Sequence, residues 1–408
     1  MKLLLINQPL GNRGDESAHR ALIRAILNRI PDVQIRVLFV DCYSVASVDQ
    51  YDIHDDRVKY VNVHSGRGYG YVGRKSLLKT HFCGFLRELQ PTTRQILAHY
   101  RWADAVVCAP GGINMGGFQD WAHLFMLELA RYAKRPLAYY GRSFGPFPME
   151  TPTNRKFYNL SNILLHYFSY LSIRDHKSAL LAEEMGLNYI ETVDTAFADE
   201  PKVKLPYEIR YALSKPYAVF VPNELIWHYA YKDKIERQDI IDFYCAVIQR
   251  IFKHNPDLHI VMLPQLFATW HIDVDFFRDI ADAVSDKRVI VMPDCYSSDI
   301  QQTIIKDASL LVGARYHSIV FAINQNVPFI ALSYEHKIAG LLETLGKKDC
   351  SIDISEAILT EEGRKDCLNK IEKLLPQIRK DERAAIKAKK MAQDGFDGFI
   401  EFLHKLKG

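Results

Sequence analysis

Short apolar runs alternate along this chain with longer segments whose apolar positions recur every three or four residues. The runs predict buried strands, and the longer segments predict amphipathic helices. In the first half, strands are predicted at 2–6, 34–40, 58–63, 105–109, 137–140, 170–173 and 189–192. Helices are predicted at 16–29, 85–101, 121–133, 153–167 and 177–185. This alternation is typical of a parallel sheet with helices on both faces.

A second alternating series follows a change in composition. Residues 199–216 contain three prolines and little apolar periodicity, which indicates an interdomain linker. Beyond it, strands are predicted at 217–221, 258–263, 289–292, 310–312 and 329–332. Helices are predicted at 239–253, 273–284, 298–305, 336–345 and 380–407. We therefore expect an α/β protein with two doubly wound, Rossmann-like domains that face a cleft, at 1–198 and 217–376, followed by a C-terminal amphipathic helix within 377–408.

Composition narrows the class of protein. A chain of 408 residues with 48% hydrophobic and 25% charged residues is typical of a soluble globular protein of two domains. The formal charge of +3 gives no reason to expect a nucleic-acid partner. Seven cysteines without a Cys-x-x-Cys pair favour a reducing cytoplasm. The apolar run at the start of the sequence ends at Asn7 and is predicted to be a strand rather than a signal peptide. No run of about 20 apolar residues occurs, so any membrane contact is expected to be peripheral.

The most informative motif is Gly313-Ala314-Arg315-Tyr316-His317-Ser318, which joins a predicted strand to a helical pattern. A helix N-terminus favours an anion, and Arg315 adds a planar fork suited to carboxylate or phosphate. His317 adds a proton that moves near neutral pH. The alternative is a solvated arginine beside a structural histidine.

Glycine-rich loops follow three predicted strands of the first half. In Gly11-Asn12-Arg13-Gly14-Asp15, Asp15 is either a helix N-cap or a group that orients or deprotonates a sugar hydroxyl. The loop 111–117 contains Gly111, Gly112 and Asn114, and its density of glycine suits close approach of a ligand to the backbone. The third loop, at 141–146, offers Arg142.

Two further candidates lie at strand ends. Arg174 is a second candidate cation, and the alternative is a structural ion pair with Asp175. Asn223 and Trp227 could hydrogen-bond and stack on a sugar, or form the buried edge of a lid. Metal signals are poor, since Asp273-Val274-Asp275 is best explained as charge near a helix N-terminus. No metal and no cofactor are expected.

In order along the chain, these motifs resemble the polysaccharide pyruvyl transferase family. The resemblance rests on Gly11-Asn12-x-Gly14-Asp15-Glu16, the loop 111–117, Ser172-Ile173-Arg174-Asp175, Asp194-Thr195-Ala196-Phe197, the motif at 313–318, Val327-Pro328 and Ser333-Tyr334. It extends from residue 1 to about residue 346. This chain departs from the Ser-Arg-Met/Leu-His common in the family by having Ala314 and Tyr316.

The resemblance implies a GT-B-like fold whose C-terminal helix crosses back to the first domain. It also implies transfer of pyruvate from phosphoenolpyruvate to a sugar of a cell-surface polysaccharide or its lipid-linked precursor, with a ketal as product. His317 would be the catalytic acid, with Asp15 as a second catalytic candidate. The donor would be bound by Arg315, Arg174, Tyr316 and Ser318. The acceptor or its loops would involve Asn12, Gly14, Gly111, Gly112, Asn114, Arg142, Asn223 and Trp227.

The chemistry fits these residues independently of the resemblance. Phosphoenolpyruvate carries two anionic groups and must gain a proton at C3, which needs cations and an acid of near-neutral pKa. The alternatives are a GT-B glycosyltransferase that uses a nucleotide sugar and a noncatalytic glycan-binding protein. The basic C-terminal helix is expected to bridge the domains; a membrane-surface helix at the inner face of the membrane is the alternative.

Overall fold

The structure is a computed structural model that describes residues 1–40, 53–64, 73–112, 114–228, 230–267 and 272–406. The chain divides into two compact units. Unit 1 comprises Met1–Leu10, Ala18–Asp199 and Lys390–Gly408. Unit 2 comprises Gly11–Ser17 and Glu200–Lys389. The loop after the first strand therefore belongs to unit 2, although its neighbours in sequence belong to unit 1.

Unit 1 is built on a parallel sheet whose described strands have the order β3-β2-β1-β4-β5-β6-β7. These strands are β1 (Lys2–Ile6), β2 (Gln34–Val40), β3 (Val58–Val63), β4 (Ala105–Cys108), β5 (Leu137–Arg142), β6 (Tyr170–Ile173) and β7 (Ile190–Glu191). The helices are α1 (Arg13–Arg29), whose first residues up to Ser17 belong to unit 2, α2 (Arg74–Glu88), α3 (Pro91–Trp102), α4 (Trp121–Tyr132), α5 (Pro152–Tyr167) and α6 (His176–Glu184). Apolar side chains are buried on both faces of the sheet because helices cover both.

Unit 2 repeats this architecture in a parallel sheet of order β10-β9-β8-β11-β12-β13. Its strands are β8 (Tyr217–Val221), β9 (His259–Met262), β10 (Val289–Val291), β11 (Leu310–Gly313), β12 (Phe329–Ser333) and β13 (Ser351–Asp353). Its helices are α7 (Tyr207–Ala212), α8 (Arg237–His254), α9 (Asp273–Val284), α10 (Ser298–Lys306), α11 (Tyr316–Asn324), α12 (His336–Leu345) and α13 (Glu361–Leu374). The predicted α/β class with two parallel, doubly wound sheets is confirmed.

Some element boundaries differ from the prediction. The single helix expected at 85–101 is two helices, because Pro91 occupies the first turn of α3 and cannot continue a preceding helix. Helix α1 begins at Arg13, three residues before its predicted start. The segment 199–216 contains α7, and β13 and α13 were not predicted.

The last helix, α14 (Glu382–Lys405), extends from the end of unit 2 into unit 1. Phe396, Phe399, Ile400 and Leu403 are buried in the core of unit 1, where Phe399 packs against Tyr140 at 4.9 Å between ring centroids. The predicted return of this helix to the first domain is confirmed. Within the described residues, no helix has both the length and the apolar character needed to span a membrane.

Candidate functional site

In the sheet of unit 2, the order in which successive strands are added reverses between β8 and β11, which are parallel neighbours. Ligands of doubly wound sheets bind at the carboxyl ends of the strands at such a point. The chain after β8 carries Asn223 and Trp227, and the chain after β11 carries Arg315 and His317. The fold therefore brings together two candidate segments that lie about ninety residues apart in sequence.

Arg315 occupies the residue before α11 and is held from two sides. Its guanidinium forms an ion pair with the buried carboxylate of Asp273. It also lies over the ring of Trp227, with 5.8 Å between Cζ and the ring centroid. Nε of Arg315 is buried and has no hydrogen-bond partner among the described residues. The arginine is thus oriented by protein groups, and one of its buried donors has no partner in the described part of the protein.

Asp273 is a residue whose role was missed in the sequence. It is the first residue of α9, as expected for a charge near a helix N-terminus, but only 4% of it is exposed. Its Oδ2 accepts hydrogen bonds from the backbone N–H groups of Gln265 and Leu266, both at 2.9 Å. Its other oxygen faces Arg315. Asp273 therefore links the guanidinium to the backbone of residues 265–266.

His317 lies in the first turn of α11 and is buried against Gly14. A Cβ atom added at Gly14 would lie 1.9 Å from both Cγ and Nδ1 of the imidazole. The ring of Tyr316 approaches His317 edge-on, with 5.0 Å between centroids. Gly14 was predicted for the acceptor or its loop, whereas the structure places it directly beside the candidate acid.

The loop 11–17 is joined to residues 265–267 of the same unit. Arg13 N donates to the carbonyl of Gln265 at 2.9 Å, and Phe267 N donates to the carbonyl of Gly11 at 2.9 Å. Asn12 caps α1 by accepting a hydrogen bond from Gly14 N at 2.7 Å. The N-cap interpretation of Asp15 is wrong, because α1 begins at Arg13 and Asn12 performs that function. Asp15 lies half-buried in the first turn.

A buried ion pair fastens this loop. Arg13 and Glu16 are 1% and 0% exposed, and Nη1 of Arg13 lies 2.6 Å from Oε2 of Glu16. Oε1 of Glu16 accepts hydrogen bonds from N and Oγ of Ser298, both at 3.1 Å. The guanidinium of Arg13 also stacks on Phe267 at 3.7 Å. Since Ser298 begins α10, Glu16 supplies a carboxylate to the N-terminus of that helix.

Aromatic and polar groups line the neighbouring strand ends. Nε1 of Trp227 donates to Oδ1 of Asn223 at 3.3 Å, and Asn223 is fixed through its main chain by the hydroxyl of Tyr244. Burial raises the pKa of Tyr334, which follows β12, far above its usual value. Burial likewise lowers the pKa of His228, against the opposing charge of Glu335. These groups are therefore neutral near pH 7 and suit a polar, uncharged ligand.

Ser318, predicted to bind the donor, is fully buried. Its hydroxyl donates to the carbonyl of Arg315 at 2.6 Å. A Cβ atom at Gly313 would lie 2.3 Å from this hydroxyl. The contacts of Ser318 stabilise the turn that presents Arg315.

In unit 1, Arg142 organises the loop after β4. It is fully buried, and its guanidinium donates to the carbonyls of Asn7 and Gly112, both at 3.3 Å, and to the carbonyl of Ala109. It also donates to the side chain of Asn114. The three contacts to Ala109, Gly112 and Asn114 attach this loop to the end of β5.

Arg174, also in unit 1, forms an ion pair with the fully buried Asp194. Its Nε donates to Oγ of Ser143 at 3.4 Å. The alternative of a pair with Asp175 is wrong, because Asp175 caps α6 by accepting from Ser178 N at 2.9 Å. Asp194 belongs to the Asp194-Thr195-Ala196-Phe197 motif, which the sequence analysis noted. The motif did not show that Asp194 pairs with Arg174.

The described parts of both units contain no group of three or more His, Cys, Asp and Glu side chains arranged to hold a metal ion. The residues at the end of β11 instead offer an oriented guanidinium, helix N–H groups and an imidazole. This set suits binding of an organic anion and transfer of a proton.

Comparison with known proteins identifies the family. A model of the polysaccharide pyruvyl transferase family matches residues 12–336. The chain belongs to the polysaccharide pyruvyl transferase family. Among curated relatives, this transferase is 25% identical over 380 residues to the amylovoran biosynthesis protein AmsJ of Erwinia amylovora, covering 87% of this chain and 88% of that protein. A role in pyruvyl transfer during polysaccharide synthesis follows.

Solved structures show that this pyruvyl transferase has a GT-B-like fold. The UDP-GlcNAc 2-epimerase of Neisseria meningitidis, bound to UDP-GlcNAc, matches with a TM-score of 0.59 and 13% identity over 99% of this chain and 100% of that one. Anabaena Alr3699/HepE, in complex with UDP and glucose, matches with a TM-score of 0.54 and 14% identity over 99% of each chain. At such identity the likeness concerns the fold alone.

Proposed function

We propose that this enzyme transfers pyruvate from phosphoenolpyruvate to two hydroxyl groups of one sugar, forming a pyruvate ketal and releasing phosphate. The sugar belongs to an exopolysaccharide or capsule, or to its lipid-linked precursor. The observation that carries the proposal is the Arg315–His317 element of unit 2, in which Asp273 orients the guanidinium and Nε of Arg315 has no protein hydrogen-bond partner within the described residues. The reaction then takes place in the cytoplasm, where phosphoenolpyruvate is made.

The donor needs more than one anion-binding group. In our proposal Arg315 binds one anionic group of phosphoenolpyruvate, and the first N–H groups of α11 bind the other. The sequence also assigns Arg174 to the donor. Its guanidinium is already paired with Asp194, so the proposal depends on Arg315, and the role of Arg174 is tested with a separate variant.

His317 supplies the proton. Protonation of C3 by the imidazolium leaves C2 as an oxocarbenium centre. The first sugar hydroxyl adds to C2 and gives up its proton, which restores the imidazolium. The C2–O bond to phosphate then breaks, and phosphate leaves with the bonding electrons. The second hydroxyl adds to C2 and loses its proton, which closes the ketal. The tight contact with Gly14 fixes the imidazole during the first step.

The decisive experiment follows phosphate release and the product in deuterated water, with phosphoenolpyruvate and candidate glycans. Because C3 takes its new hydrogen from a group that exchanges with solvent, the product's methyl group should contain deuterium. Activity should persist in EDTA, since the proposed site uses no metal. Consumption of a nucleotide sugar without phosphate release from phosphoenolpyruvate would establish the glycosyltransferase alternative, and glycan binding without any turnover would establish the binding-protein alternative.

Variants assign the roles. Arg315→Lys keeps the charge but loses the planar fork, so the dissociation constant for phosphoenolpyruvate should rise by an amount equivalent to about 1–3 kcal/mol. His317→Gln should lower turnover about 10²–10⁴-fold with donor binding largely intact. Arg174→Lys is measured in parallel, and Arg278→Lys, on the exposed face of α9, is the control. Near wild-type turnover of His317→Gln would show that another group is the acid.

A further inference from the structure

The outer face of α2 in unit 1 has a composition that the donor chemistry does not explain. Phe82 and Leu86 of α2, which lie on either side of a kink at Cys83, and Leu89 in the turn after the helix are 73%, 51% and 71% exposed, although large apolar side chains normally face a core. The inner face of the same helix is conventionally buried, since Leu77 and Thr80 are covered and Gly84 lies against the ring of Tyr132 in α4. The apolar outer face is therefore additional to the packing that holds the helix in place.

Basic residues continue the same face. Lys75 and Lys79 are exposed and precede Phe82 by seven and three positions, which places them on its side of the helix. Arg94 and Arg101 lie on the adjacent α3 and are also exposed. The nearby acid, Glu88, is already paired with Arg101 at 2.6 Å and with the hydroxyl of Tyr132. Arg101 and Glu88 thus neutralise each other, and Lys75, Lys79 and Arg94 leave a net positive charge beside the apolar residues.

We propose that the surface formed by Lys75, Lys79, Phe82, Leu86 and Leu89 binds the surface of an anionic lipid bilayer. Exposed apolar side chains beside lysines are the combination that inserts into the interface of such a membrane, because burial of the apolar groups adds to attraction of the cations by anionic headgroups. The positive charge favours this occupant over a second copy of the chain, which would bring the same cations together.

This surface also replaces the C-terminal helix as the membrane-binding candidate. The large apolar side chains of α14 at Phe396, Phe399, Ile400 and Leu403 are 0–5% exposed and form part of the core of unit 1. They are not available for a membrane without unfolding that core. The surface on α2 needs no such change.

The experiment is sedimentation of the full-length protein with vesicles of phosphatidylglycerol and phosphatidylethanolamine, without donor or acceptor, so that its result is independent of the transfer reaction. The wild-type protein should bind, more weakly at high salt and more weakly to pure phosphatidylcholine. The triple variant Phe82→Ser/Leu86→Ser/Leu89→Ser should lose more than about tenfold in vesicle affinity. Lys75→Gln/Lys79→Gln should lose several-fold, mainly at low salt.

Matched controls test the location. Tyr207→Ser/Tyr211→Ser removes two side chains that are 71% and 72% exposed on α7, and Lys365→Gln/Lys370→Gln removes two exposed lysines on α13. Both should bind vesicles as the wild type does, and all variants should melt at the wild-type temperature. Wild-type binding by the triple variant would overturn the proposal. The proposal would also be overturned if the wild-type protein formed a dimer and did not bind vesicles, while the triple variant was monomeric.

Discussion

Asp273 and Arg315 lie 42 positions apart in the chain, yet each determines the environment of the other. The carboxylate neutralises a buried guanidinium and at the same time fixes its direction through two backbone N–H groups. Charge and geometry can be separated experimentally, because Asp273→Glu keeps the charge and adds one methylene. The residue therefore tests whether orientation of Arg315 matters for the reaction.

We predict that Asp273→Glu lowers kcat/KM for phosphoenolpyruvate by about tenfold or more, since displacement of an anion-binding guanidinium by about 1 Å is costly. Steady-state kinetics of phosphate release measure the effect. Asp275→Glu is the matched control, because Asp275 lies on the same helix but is exposed and paired with the exposed Arg278. Equal kinetics for both variants would remove Asp273 from the site.

Gly14 is the second residue whose role is geometric. Its φ is not left-handed, and alanine is intrinsically better than glycine in a helix, so the substitution is unfavourable only because of His317. We predict that Gly14→Ala lowers turnover by about 10²-fold through displacement of the imidazole. Gly340→Ala, in α12, meets nothing within 4 Å and should retain wild-type turnover. Wild-type turnover for Gly14→Ala would mean that the position of His317 is unimportant.

Two adjacent acidic residues in the first turn of α1, Asp15 and Glu16, differ in burial and therefore in role. Glu16 is fully buried and shared between Arg13 and Ser298, whereas Asp15 beside it is half-buried. Glu16 therefore belongs to the stability of unit 2. Asp15 remains a candidate for the catalytic role assigned from the sequence.

We predict that Glu16→Gln destabilises unit 2 by about 3 kcal/mol, because it removes the buried carboxylate charge that faces the guanidinium of Arg13. Urea unfolding followed by tryptophan fluorescence and by limited proteolysis measures the change. Asp15→Asn should leave the unfolding midpoint unaltered, and its effect on turnover then reports chemistry alone. An unchanged midpoint for Glu16→Gln would show that the pair is energetically neutral.

The sequence was most informative where local rules act alone. Helices α9 and α12 begin and end where their patterns predicted, since both have clear apolar faces. The Arg315–His317 element was found from a strand-to-helix junction, which is also local. The partnerships of Asp273, Gly14 and Asp194 were not found, because they join segments distant in sequence and depend on the order of strands in a sheet. Burial of Glu16 beside a half-buried Asp15 was equally invisible, since both are acidic residues of one helical turn.

For the chain as a whole, the path of the backbone matters as much as its sites. The loop 11–17 leaves unit 1 after β1 and belongs to unit 2, and α14 begins in unit 2 and ends in unit 1. Dividing the chain only at the linker 199–216 would therefore leave each unit without one of its own segments. Each unit needs a segment from outside its main stretch of sequence to complete its core.

Removal of residues 390–408 should consequently unfold unit 1. The deleted segment carries Phe396, Phe399, Ile400 and Leu403, whose burial contributes roughly 6–12 kcal/mol, as much as the whole stability of many domains. Limited proteolysis with mass spectrometry should show cleavage throughout 18–199 and protection of 200–389. A chain that ends at Lys405 is the control and should be resistant in both units. Resistance of 18–199 in the longer deletion would mean that α14 is dispensable for the core of unit 1, and its apolar face would then be available for another partner.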